Sequence, residues 1–101
     1  MSEFFKNRID TAHALIDEQQ YRAAVELILN LKTRIHAPDL LTKINLHDTE
    51  VEKEYNQRYQ NIGIRGGDPY QIYTDAVNLE KWRAQEYLKF YDMISRDNDL
   101  Q

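Results

Sequence analysis

The chain has 101 residues, with 13 basic and 17 acidic side chains, a net charge of −4 and no cysteine. That composition excludes disulfides and thiolate zinc sites, and the mixed signs leave no basic stripe for phosphates. No apolar run approaches the ~18 residues of a membrane span. The opening Met1-Ser2-Glu3-Phe4-Phe5-Lys6 lacks the basic-then-apolar order of a secretory signal, so a single cytoplasmic domain is expected.

Helical periodicity accounts for most of the chain. Ser2 suits a helix cap, and Phe5, Ile9, Ala12 and Ile16, widened by Leu15, form the stripe of a first helix reaching about Glu18. Gln19-Gln20 makes a tight connection. A second helix then runs from Gln20 to Ile35 on Tyr21, Ala24, Ile28, Leu31 and Ile35. Residues 1–36 therefore read as an antiparallel hairpin. Pro38 fits the first position of a third helix over 38–62, and Asp39 suits its positive end. The stripe of that helix is Leu41, Ile44, Val51, Tyr55, Tyr59 and Ile62. Asp48 interrupts it, so a break or kink is expected near Asn45-Leu46-His47-Asp48. The three glycines, Gly63, Gly66 and Gly67, share one loop over 63–67, and so few breakers elsewhere exclude an all-β fold.

Asp68-Pro69 opens a long amphipathic helix over 68–96. Half of its wheel holds Ile72, Tyr73, Ala76, Val77, Leu79, Ala84, Tyr87, Leu88, Phe90, Tyr91 and Ile94. A surface helix needs an apolar stripe only a little over about 100° wide. This helix is therefore the centre of a bundle or part of an interface. Glu80 and Arg83 fall inside the apolar half, and at i,i+3 they are placed to pair. Trp82 and Met93 fall outside it, as exposed contact residues would. Residues 97–101 should fray.

Residues 12–28 resemble the helical hairpin of tetratricopeptide repeats: Ala12, Leu15, Tyr21, Ala24 and Ile28 share its small-and-aromatic spacing. The resemblance implies two closely approaching helices. A 34-residue shift gives Leu46, Thr49, Tyr55, Arg58 and Ile62, of which two positions recur, so no repeat array is expected. Gly63-Ile64-Arg65-Gly66 has the letters of the GxxG loop of KH domains, which would make Arg65, Gly63 and Gly66 contacts to a nucleic-acid backbone. Arg8 and His13 have the spacing of HEPN ribonucleases, which would make them an RNA-cleaving pair. Neither resemblance extends further along the chain.

The expected fold is all-α and four-helix bundle-like, with an N-terminal antiparallel hairpin, a third helix with a break or kink and a long C-terminal amphipathic helix. The expected function is a small non-enzymatic interaction module: an adaptor, assembly factor or inhibitor. It would act through Trp82, Met93, Tyr87, Tyr91, Glu80 and Arg83, and would bind itself, another protein or both. Such chains are common among the accessory proteins of phages and mobile elements. Nucleic-acid or nucleotide binding, or acidic competition for a nucleic-acid site, is the alternative, and HEPN-like cleavage a third. No catalytic motif, metal or cofactor is expected, since His13, His36 and His47 lack metal-ligand spacing and no Walker or G-x-S-x-G loop is present.

Overall fold

The structure, a computed structural model, describes residues 2–64 and 66–98. Four helices follow in order: α1 (Ser2–Asp17), α2 (Tyr21–Asn30), α3 (Pro38–Asn61) and α4 (Pro69–Asp97), with a 3₁₀ turn at Leu31–Arg34 after α2. No strand occurs among the described residues, and none of the helices is long and apolar enough to cross a membrane. The helices pack as a bundle, with α4 touching each of the other three. The Ser2 cap expected from the sequence lies outside the described side chains.

The turn between α1 and α2 is a Schellman motif. The Gln20 N–H donates to the Leu15 carbonyl at 2.8 Å and the Gln19 N–H to the Ile16 carbonyl at 2.9 Å. Gln19 takes the left-handed position, with φ of 65°, where glycine is the usual residue. The turn folds α2 back along α1, so the Arg34 guanidinium lies 4.2 Å from the Phe4 ring centroid at the other end of the hairpin. Ala12, Ala24 and Ala84 are completely buried, which lets α1, α2 and α4 approach closely.

Two expected boundaries change. The second helix does not run to Ile35: it tightens to 3₁₀ geometry after Asn30, where the Thr33 hydroxyl donates to the Asn30 carbonyl at 2.8 Å. The third helix is not broken at Asp48, because that carboxylate is bonded from other elements and needs no local unfolding. Asp68 caps α4 as expected, with its Oδ1 accepting the Tyr70 N–H at 3.1 Å and Pro69 entering the first turn. The helix continues through Asp97, and the Asn98 side chain donates to the Ile94 carbonyl at 2.9 Å. The expected fraying at 99–101 lies outside the described residues.

The hairpins differ in length. α4 alone, at 29 residues, spans about 44 Å. The molecule measures 49 × 27 × 18 Å, and its radius of gyration is 15.2 Å. About 13 Å is usual for a compact chain of this size. The α1–α2 turn meets α4 near Val77 and Glu80, so the first two turns of α4 and the last two of α3 project beyond it.

Gln19→Gly removes the cost of a side chain at positive φ. The variant should be more stable by about 0.5–1 kcal/mol. Urea unfolding checks this: the midpoint should rise while the slope stays constant.

Candidate interaction surface on the α3–α4 hairpin

The seam between α3 and α4 is a row of tyrosine–carboxylate bonds. Asp48 Oδ2 accepts the Tyr91 hydroxyl at 2.8 Å. One turn along α3, Glu52 Oε2 accepts the Tyr87 hydroxyl at 2.6 Å and Arg83 Nε at 2.8 Å. At the third rung the roles swap, and the Tyr55 hydroxyl donates to Glu80 Oε2. Cations close both ends: Lys32 Nζ of the 3₁₀ turn lies 4.0 Å from Asp48, and Arg22 Nε of α2 lies 3.7 Å from Glu80. His47 lies flat on Phe90, 3.8 Å between centroids, with Nδ1 3.0 Å from Asp48 Oδ1. Among the described residues no buried side-chain nitrogen or oxygen lacks a hydrogen-bond partner.

The same contacts set the electrostatics. Burial, then the bond to Glu80, pushes the Tyr55 hydroxyl up to about 12. Burial raises Tyr87 and Tyr91 further, reinforced by Glu52 and Asp48 respectively. Burial pushes Glu52 up, but hydrogen bonds from Arg83 and Tyr87 outweigh it and hold the carboxyl below its usual range.

The seam fixes where several expected site residues lie. Tyr87 and Tyr91, expected as contacts, are each 1% exposed and lie in the core. Their rings fill the bundle while their hydroxyls reach the seam carboxylates. Glu80 and Arg83 do not pair with each other, because each points across to a different group on α3: Tyr55 for Glu80, Glu52 for Arg83. Trp82 is half-buried, with the Arg58 guanidinium 4.5 Å from its ring. Met93 is exposed. Gly63 and Gly66 adopt positive φ in the loop, as a tight connector requires. Arg65 lies outside the described residues. Arg8 and His13 sit on the exposed side of α1 about 140° apart around the helix, and Arg8 covers the Phe4 ring at 5.0 Å. Among the described residues no three His, Asp or Glu side chains converge as metal ligands.

Beyond the third rung the apolar stripes continue without cover. Tyr59 follows Tyr55 by one turn on α3, with ring centroids 6.1 Å apart. On α4, Tyr73 and Tyr70 continue the face that Ala84, Leu88 and Tyr91 bury in the body. Tyr59 is 58% exposed, Tyr73 68%, Tyr70 75% and the loop residue Ile64 68%. Beside them lies a notch of about 430 Å³, formed by Tyr21, Arg22 and Ala23 against Tyr73, Val77 and Glu80. Tyr59 lies in the expected stripe of the third helix and Tyr73 in the apolar half of the fourth; neither they nor Tyr70 are among the expected contact residues. The available signal was length: 29 residues of α4 cannot be covered by a hairpin whose first helix has 16. No family model, curated protein or solved structure matches the chain.

Two predictions follow from the seam. Asp48→Ala strands the buried Tyr91 hydroxyl and should cost about 1–3 kcal/mol. Adding Tyr91→Phe should cost little more, so a double-mutant cycle on urea midpoints reads a coupling of similar size. Stability should also fall with alkali. Tyrosines of the unfolded chain ionise near pH 10, whereas Tyr55, Tyr87 and Tyr91 resist. Their contribution is present below about pH 10 and is lost as pH rises through the folded values. Tyr87→Phe should flatten that loss, and an unchanged slope would contradict the assignment.

Proposed function

We propose that the chain is a small non-enzymatic interaction protein, an adaptor, assembly factor or inhibitor, that docks through the projecting end of its α3–α4 hairpin. The observation behind this reading is the exposed run Tyr59, Tyr70 and Tyr73 on stripes that are core elsewhere in the same helices. Exposed tyrosines on a rigid helical platform suit contact surfaces, because each brings a large ring with few rotatable bonds and a hydroxyl that tolerates the wet rim. Glu80 belongs to this surface as a wall of the notch. Arg83 supports it from behind, with its guanidinium 4.8 Å from the Tyr55 ring.

Site-specific photo-crosslinking in cells tests the proposal. A photoreactive phenylalanine analogue at Tyr70 should give discrete covalent adducts. The same group at Lys89, on the outer face of α4, should give none. Adducts at both positions alike, or at neither, would overturn the reading.

A further inference from the structure

We infer that the occupant of the projecting end is a second copy of this chain, arranged as an antiparallel, two-fold symmetric pair of α3–α4 tips. This rests on the docking reading above and names its partner. Area is the first argument. A tyrosine buries roughly 150–250 Å² when covered. At the observed exposures, Tyr59, Tyr70, Tyr73 and Ile64 offer on the order of 500 Å² of uncovered surface per chain. Two copies bring about 1,000 Å² together. Interfaces are roughly 56–58% non-polar, so this surface with its polar rim suits a specific interface of standard size, about 1,600 Å².

Charge is the second argument. A docking face of one sign would repel its own copy. This one has no single sign: at its base Arg22, 81% exposed, is paired with the more buried Glu80 at 3.7 Å, and its other end lies at the start of α4. Along α4 the two ends are about 18 Å apart. An antiparallel copy centred near Tyr73 and Thr74 places the start of each α4 level with the Arg22–Glu80 pair of the other. The two-fold axis repeats every contact. Tyr73 then meets Tyr73 of the second copy at the axis. Tyr70 of the second copy enters the notch formed by Tyr21, Ala23 and Val77.

The test joins mass and proximity. Light scattering during size exclusion should give the mass of two chains at high concentration. Tyr70→Asp should raise the dissociation constant roughly tenfold or more, with helical circular dichroism unchanged. The chain has no cysteine, so Tyr73→Cys introduces its only thiol. Mild copper–phenanthroline oxidation should link Tyr73→Cys into a covalent dimer and leave Lys89→Cys as single chains. Single chains at every concentration would overturn the inference, as would equal linking of the two cysteine variants. A single-chain mass with crosslinks at Tyr70 to another protein would end the self-pairing inference and leave the docking proposal standing. A single-chain mass with no adducts at Tyr70 would end both.

Discussion

The row of tyrosine–carboxylate bonds between α3 and α4 decides where everything else in the molecule sits. Helix 3 packs chiefly on α4. Apolar packing alone is tolerant of sliding, because a stripe moved by one turn still meets a stripe. The polar rungs are not tolerant. Slipping α3 by one turn would leave the Tyr91 hydroxyl facing Ile44 and the Tyr55 hydroxyl facing Ala76. Each buried donor left without a partner costs about 1–3 kcal/mol. Polar groups inside the seam therefore act as a register device, at little net gain in stability over an apolar seam.

Register, once set, produces the uncovered end. The Schellman turn at Gln19 stops the first hairpin at the level of Val77, and the Gly63–Gly67 loop lets the second continue past it. Helix lengths and the seam together leave two turns of each long helix with exposed stripe tyrosines that α1 and α2 do not cover. The rings nearest the body, Tyr55 and Tyr87, are held by bonds to Glu80 and Glu52, so the exposed rings beyond them sit on a fixed platform. A rigid apolar surface loses little conformational entropy when it is covered, which favours docking over collapse onto the chain itself.

Much of the fold was legible from spacing. Asp68-Pro69 announced the start of α4, and Ala12 and Ala24 announced the close hairpin, because caps and small residues act through local geometry. Asp48 was legible only as a fault in a stripe. Its partners Tyr91 and Lys32 are 43 and 16 positions away, and no periodicity in one helix reveals a bond to another. The same blindness made Glu80 and Arg83 look like a pair and made Tyr87 and Tyr91 look available for contact. A wheel shows which side a residue takes, but not how far along the helix its neighbour extends. That second quantity separates buried Tyr91 from exposed Tyr73, which share one face.

The most direct test of this account is amide hydrogen exchange in the native chain and in the double variant Asp48→Ala, Glu52→Ala. If the seam carboxylates hold α3 in register, the variant should lose protection in α3 and in residues 70–76 of α4, while α1 and α2 keep theirs. Equal loss across all four helices, or unchanged protection in α3, would show that the seam does not set the position of the projecting end.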